Sequence, residues 1–131
     1  MSHPAIANLR RCVASLTDLC SGFTPQQWQT QSLCPDWTVQ GVLAHLTGIE
    51  LALSGWRPDG DTPAPFHKIG EFLAGEAATL SGAELLARFS DIWAVRDAEL
   101  ARSAEAAAGL YGPDGEIEIL EAFGERDLID P

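Results

Sequence analysis

Apolar residues recur at three- and four-residue steps in several segments of this chain, which is the spacing of one face of an α-helix. The first segment carries Ile6, Leu9, Val13, Leu16 and Cys20. Two later segments carry longer stripes: Val39, Val42, Leu43, Leu46, Ile49 and Leu53, then Leu85, Leu86, Phe89, Ile92, Trp93, Arg96 and Leu100. Because clusters of β-branched residues are few, the pattern predicts an all-α protein, specifically an antiparallel four-helix bundle.

Capping residues mark where these helices start. Thr24 precedes Pro25 and predicts a short helical turn, and Thr38 is a suitable N-cap for the second long helix. Ser81-Gly-Ala-Glu84 fits a capping box, in which serine and glutamate satisfy free backbone amides reciprocally.

Glycine and proline predict where the helices end. The first helix is expected over about 4–21, and a Pro- and Gly-rich loop over 56–65 separates the second long helix from a shorter one that is interrupted near Gly75. The last long helix is expected to reach about Ala107, with a turn over 109–115. Residues 116–127 fit either a short strand or a further helix.

Length and charge limit the organisation and the partners. The 131 residues predict a single domain over 1–131. A net charge of −11, from 19 acidic and 8 basic residues, argues against nucleic acid and anionic membranes as partners. No apolar run is long enough to span a membrane, so a cytoplasmic protein is predicted. The acidic segment 114–131 is predicted to be irregular or truncated.

The three cysteines, Cys12, Cys20 and Cys34, form no Cys-x-x-Cys pair. Free, buried thiols in a reducing compartment are the simplest interpretation. Gly-rich phosphate loops, the Gly-x-Ser-x-Gly motif and the His-Glu-x-x-His motif do not occur in the sequence.

Three stretches resemble a known family: Thr24-Pro-Gln-Gln-Trp28, Ser32-Leu-Cys-Pro-Asp-Trp-Thr38 and Val42-Leu-Ala-His-Leu-Thr-Gly48. They are similar to the N-terminal part of the mycothiol-dependent maleylpyruvate isomerase domain, a DinB-like helical metalloprotein domain common in actinobacteria. The resemblance covers about 9–50 closely and 84–107 more loosely. It implies a bundle with a divalent metal near one end, bound by His45 and by an acid and a histidine four residues apart on a late helix. It also implies a low-molecular-weight thiol as cofactor.

The late motif departs from this pattern. The family motif resembles acid-x-x-x-His-Glu-x-Asp-Ile, but the matching stretch has Leu120 in place of the acid and Gly124 in place of the histidine. The metal site is therefore predicted to be degraded. In a shifted register, Glu121 and Glu125 lie four apart and could join His45 in a site suited to zinc, manganese or iron.

Three residues have two interpretations each. His45 lies on an apolar helix face, where a histidine is commonly a core residue, and the resemblance makes it a metal ligand. Trp37 is expected to anchor the chain entering the second helix, and is also a candidate for cofactor binding. Arg96 either lines a polar pocket facing His45, as a cofactor-binding residue, or extends to the surface.

The predicted function is that of a metal-dependent thiol isomerase or S-transferase acting on a small electrophile. The alternative is a non-catalytic helical bundle that has lost the metal, has no cofactor, and binds a small molecule or forms a homodimer.

Overall fold

A computed structural model describes the backbone of residues 4–54 and 65–124 and the side chains of residues 4–54 and 65–104. The elements are α1 (Pro4–Ser21), α2 (Pro25–Trp28), α3 (Val39–Leu53), α4 (Pro65–Ala74), a 3₁₀ turn (Ala77–Thr79) and α5 (Gly82–Gly124). The described part contains no strand; Gln31 and Thr38 form an isolated antiparallel bridge. The predicted all-α helical bundle is confirmed. None of the described helices is long and apolar enough to cross a membrane.

The chain divides into two compact units. One spans Ser15–Arg96, and the other combines the residues up to Ala14 with the chain from Asp97 onward. In the second unit Ile6 is buried and the Arg10 Nε donates to Asp97 Oδ1 at 2.6 Å. The single domain over 1–131 remains a prediction.

The three predicted helix starts are all present. Thr24 Oγ1 accepts from the Gln27 amide at 3.1 Å and Gln27 Oε1 accepts from the Thr24 amide at 2.8 Å. Thr38 Oγ1 accepts from the Gly41 amide at 3.1 Å. At the start of α5, Ser81 Oγ accepts from the Glu84 amide at 3.2 Å, while Glu84 Oε1 accepts from the Ser81 amide at 3.0 Å. Each cap satisfies backbone donors that a helix leaves free at its first turn.

Helices α3 and α4 pack closely because α3 presents a glycine to α4. A Cβ on Gly48 would lie 3.3 Å from Ile69 Cγ2, a tight contact that would require the Ile69 side chain to move slightly. Beside Gly48, Thr47 is fully buried and donates to the Leu43 carbonyl at 2.7 Å, which satisfies its hydroxyl inside the core. The buried apolar residues of the Ser15–Arg96 unit are Cys20, Trp28, Leu43, Ala44, Ala52, Phe72, Leu85, Phe89 and Ile92.

Trp28 joins the α1–α2 connection to the start of α5. Its indole is 5% exposed, and three of its ring atoms would lie 2.4 Å from a Cβ on Gly82. Phe23 contacts the same indole edge-on, with ring centroids 5.1 Å apart. Trp28 therefore packs both against Phe23 and against the start of α5.

The C-terminal part of the chain differs from the sequence predictions at the turn over 109–115 and decides between the two alternatives for 116–127. The turn over 109–115 is wrong, because α5 continues through it to Gly124; the turn tendency of Gly and Pro is a local preference that a continuous helix overrides. Of the two interpretations of 116–127, the helix is the one observed as far as Gly124. The acidic residues beyond it, and most of the predicted 56–65 loop, lie outside the described residues.

The prediction that the cysteines are free is confirmed, and the prediction that all of them are buried is wrong. All three thiols are free and Cys20 is buried, but Cys12 and Cys34 are exposed. Cys12 lies off the apolar stripe of α1 and Cys34 lies in the loop before α3, so neither has an apolar surface to cover it.

Candidate functional site

A cavity of about 410 Å³ lies within the Ser15–Arg96 unit. Its lining comes from the α2–α3 connection, the first half of α3, the end of α4 and the 3₁₀ turn. The lining residues are Gln29, Trp37, Thr38, Gln40, Gly41, Ala44, His45, Leu73, Ala77 and Ala78. The volume is in the range of small-molecule sites in proteins.

Helical spacing brings the α3 residues to the cavity. Gln40 and Ala44 are four residues apart, as are Gly41 and His45, so the two pairs share one face of the helix. The Thr38 cap fixes where α3 begins and therefore where His45 lies on it.

His45 and Trp37 are in contact at the cavity. Their ring centroids are 4.5 Å apart and the planes are inclined by 31°. Trp37 keeps 37% of its surface exposed, so it covers His45 rather than joining the core. Gly41 lies close to the same side chain, since a Cβ there would be 3.2 Å from Trp37 Cβ.

The Nδ1 atom of His45 is buried and has no hydrogen-bond partner among the residues that the structure describes. Leaving a buried polar atom unpartnered costs about 1–3 kcal/mol. Such atoms are rare in folded proteins and call for an explanation. Among the residues that line the cavity, His45 is therefore the one with a buried polar side-chain atom left unsatisfied within the described residues.

The side chains of Gln29 and Gln40 are hydrogen-bonded to each other at the cavity. Gln29 Nε2 donates to Gln40 Oε1 at 2.7 Å, and Gln40 Nε2 donates to the Leu80 carbonyl at 2.9 Å. This relay fixes which end of each amide faces its neighbour. The cavity wall therefore carries oriented neutral dipoles.

The loop that carries Trp37 is held by the side chain of Gln31. Its Nε2 lies within 3.2 Å of four backbone carbonyl oxygens, those of Ser32, Cys34, Pro35 and Trp37. The Ser32 amide also donates to the Trp37 carbonyl at 3.1 Å. These bonds place the Trp37 ring against His45.

The side chain of Arg96 contacts Glu50 of α3. Its Nε donates to Glu50 Oε2 at 2.7 Å, and the two side chains are 17% and 15% exposed. It is not among the residues that line the His45 cavity. Its role in cofactor binding remains a prediction, and the ion pair with Glu50 is its described contact.

The described residues do not by themselves fit a resident metal. His45 offers a ring nitrogen, but no group of three or more His, Cys, Asp or Glu side chains in the described part of the chain could hold a metal ion. Glu121 and Glu125, predicted to complete the site, lie outside the residues whose side chains are described. The metal site at His45, Glu121 and Glu125 stays a prediction.

The described part of the chain is all-helical, and a histidine and a tryptophan lie beside a cavity of its Ser15–Arg96 unit. Residues 9–120 match the family model of the mycothiol maleylpyruvate isomerase N-terminal domain, so the chain belongs to that family. The predicted resemblance is confirmed, and the helical bundle agrees with the DinB-like fold that it implies. Comparison with curated proteins and with solved structures found no match.

Of the ten described residues that line the cavity, two, His45 and Trp37, were predicted as site residues from the sequence. Gln40 could have been found, since it precedes His45 by five residues on the same helix and follows the Thr38 cap. Gln29, Leu73, Ala77 and Ala78 could not, because they reach the cavity only through packing between distant segments.

Proposed function

We propose that this domain binds a small molecule in the His45 cavity and promotes thiol-dependent isomerisation or S-transfer on a small electrophile. The observation that carries the proposal is the buried His45 Nδ1, unpartnered within the described residues, at a cavity of ligand size. Family membership supports the thiol part, because the family is described by its mycothiol-dependent isomerase.

The chemistry needs a proton acceptor beside the thiol. The nucleophile is the thiolate, and a histidine within hydrogen-bond distance is a common base for producing it. In the proposed reaction the His45 imidazole takes the S–H proton and the sulfur electron pair forms a C–S bond with an electrophilic carbon. For isomerisation of a C=C bond, the proton is returned to the adduct and then removed as the thiol leaves. For S-transfer, a leaving group departs with the electron pair of its bond to carbon.

A metal would supply a second way to deprotonate the thiol, by coordinating its sulfur. His45, Glu121 and Glu125 are the residues proposed to hold it. No step above depends on the metal.

The second candidate is a non-catalytic domain that uses the same cavity for binding, or a helix face for dimerisation. It rests on the same cavity at His45 and needs neither a metal nor a thiol.

The test compares His45→Ala with His67→Ala, which removes an exposed histidine of α4 that does not line the cavity. The readout is conjugation of chlorodinitrobenzene or isomerisation of maleylpyruvate in the presence of a low-molecular-weight thiol. We expect the wild type and His67→Ala to react alike and His45→Ala to be slower by about 10²-fold or more, the usual contribution of a proton-transfer residue. Equal rates for His45→Ala and wild type would exclude the proposed role of His45. A wild type no faster than the uncatalysed reaction would favour the non-catalytic candidate.

Metal content is measured on the same proteins by elemental mass spectrometry. A stoichiometric metal in the wild type, lost in His45→Ala and in Glu121→Ala, is the result expected of the metal-dependent form. Substoichiometric metal in an active wild type would show that the thiol chemistry runs without it.

A further inference from the structure

Trp37 lines the His45 cavity without being fixed there by burial in the core. It keeps 37% of its surface exposed, whereas Trp28 keeps 5%. Its ring nevertheless lies against that of His45, with centroids 4.5 Å apart and planes inclined by 31°. Burial stabilises a side chain in proportion to the apolar area buried, so the place of a partly exposed indole depends more on the backbone that carries it. That backbone belongs to residues 31–38, the Trp37 loop, whose two end residues form the antiparallel bridge.

Both backbone groups of Trp37 are hydrogen-bonded within this loop. Its amide donates to the Cys34 carbonyl at 3.1 Å. Its carbonyl accepts from three donors: the Ser32 amide at 3.1 Å, Ser32 Oγ at 2.7 Å and Gln31 Nε2 at 3.1 Å. The position from which the indole extends is therefore determined by Gln31, Ser32 and Cys34.

Gln31 makes the bonds that span the loop. Its Nε2 lies 3.1 Å from the Ser32 carbonyl oxygen, 2.9 Å from that of Cys34, 3.2 Å from that of Pro35 and 3.1 Å from that of Trp37. A carboxamide nitrogen has two N–H donors, so the four acceptors share them in three-centre bonds. Carbonyl oxygens carry partial negative charge, and four of them directed at one point repel one another unless a donor lies between them. The Gln31 amide is that donor.

Gln31 itself is not part of the cavity. Its side chain is exposed and does not line the cavity, so no direct contact with a ligand there is expected. The buried core of the Ser15–Arg96 unit does not include it either. The effect of its hydrogen bonds is therefore confined to the loop and to the indole that the loop carries.

We infer that Gln31 is a positioning residue of the site, because its amide holds the Trp37 loop in the shape that places the indole against His45. The inference rests on the proposed function where it concerns reaction rates, since it takes Trp37 and His45 as walls of the binding site. In the reaction proposed above, Gln31 touches neither the thiol nor the electrophile and acts through Trp37 alone.

The first test measures the geometry and needs no activity. Gln31→Glu keeps the shape of the side chain and replaces both donors by a carboxylate that only accepts. Gln31→Met removes the donors without adding a charge, and Gln31→Lys supplies the donors of an ammonium group. Gln26→Glu makes the same change of charge at an exposed residue of α2 outside the loop and is the matched control.

The readout is the ¹H chemical shift of the His45 ring, which the circulating π electrons of the nearby indole displace. Trp37→Ala gives the value without that displacement. We expect Gln31→Glu and Gln31→Met to move the His45 resonances most of the way to the Trp37→Ala value. Gln31→Lys and Gln26→Glu are expected to stay close to wild type.

The second test is a double-mutant cycle on kcat/KM for the thiol-dependent reaction of chlorodinitrobenzene. We expect Gln31→Glu to lower kcat/KM of the wild type by about tenfold, which is within the range of coupling between residues of one hydrogen-bond network. In the Trp37→Ala background the same change should alter kcat/KM by less than about twofold, because the residue through which Gln31 acts is absent.

Three results overturn the inference. His45 resonances at the wild-type position in both Gln31→Glu and Gln31→Met would show that the amide does not hold the indole. A displacement in Gln31→Lys as large as in Gln31→Met would show that the donors are not what matters. Equal slowing by Gln31→Glu with and without Trp37 would show that Gln31 acts by another route. A wild type without thiol-dependent activity would overturn the proposed function, while the His45 resonances would still decide whether Gln31 positions Trp37.

Discussion

Substitution of Gly82 by alanine tests the packing that joins Trp28 to α5. The added Cβ would lie 2.4 Å from Cδ1, Cδ2 and Cε2 of the buried indole, so the ring has to move. Overpacking of a core costs about 1–3 kcal/mol. Full displacement of an indole that buries about 200 Å² would cost about 5 kcal/mol, and this is the upper limit of the destabilisation by Gly82→Ala.

The glycine-to-alanine change itself favours the helix by up to about 1 kcal/mol. We therefore expect Gly82→Ala to lower the free energy of unfolding by about 1–4 kcal/mol. Urea unfolding followed by circular dichroism should show the midpoint falling by about 0.5–2 M, for an m value near 2 kcal/mol/M.

Gly70→Ala is the matched control, because Gly70 lies inside α4 and a Cβ there meets nothing within 4 Å. This variant should gain about 0.5–1 kcal/mol. A Gly82→Ala protein as stable as Gly70→Ala would refute the placement of Trp28 against the start of α5.

Three further predictions concern the ion pair, the α5 cap and the cysteines. Arg96→Met should lower the free energy of unfolding by about 1.5–3 kcal/mol in urea titrations, because Glu50 loses its charged donor, and the further change Glu50→Gln should recover part of that loss. Hydrogen bonds from the backbone and then the side chain of Ser81 lower the pKa of Glu84. Its stabilising contribution is therefore present above the ordinary glutamate pKa and lost as the pH falls through the lowered value, so Glu84→Gln should show a smaller loss of stability in acid. Burial raises the pKa of the Cys20 thiol, and a thiol-specific reagent should label it only on unfolding while the other two cysteines react at once; fast labelling of all three would contradict its burial.

The helix starts could be predicted because capping is local. Thr24, Thr38 and Ser81 each bond to an amide three residues away, so the sequence contains both partners side by side. Helix ends are specified less sharply: the Gly and Pro residues of 109–115 predicted a turn, and α5 continues through them.

The site could be predicted only in part, because its residues are brought together by tertiary packing. His45 was identified from its motif, and its neighbour Trp37 from the same stretch. Their rings meet close to Gly41 and at the end of a loop held by the Gln31 hydrogen bonds, which no sequence periodicity indicates. Arg96 had two interpretations, a residue lining a polar pocket or one extending to the surface, and its described contact is an ion pair with Glu50 of α3. Long-range ion pairs of this kind leave no local pattern.

The central claim is that His45, whose Nδ1 has no hydrogen-bond partner within the described residues, responds when the cavity binds a ligand. The ¹⁵N resonances of the His45 ring, recorded with selectively labelled histidine before and after addition of a low-molecular-weight thiol, test it directly. The account predicts that the Nδ1 resonance of the free protein shows no hydrogen bond and that it shifts on binding, while the ring of His67 is unaffected. An Nδ1 resonance that already reports a hydrogen bond in the free protein, or that does not move when the cavity is filled, would contradict the account.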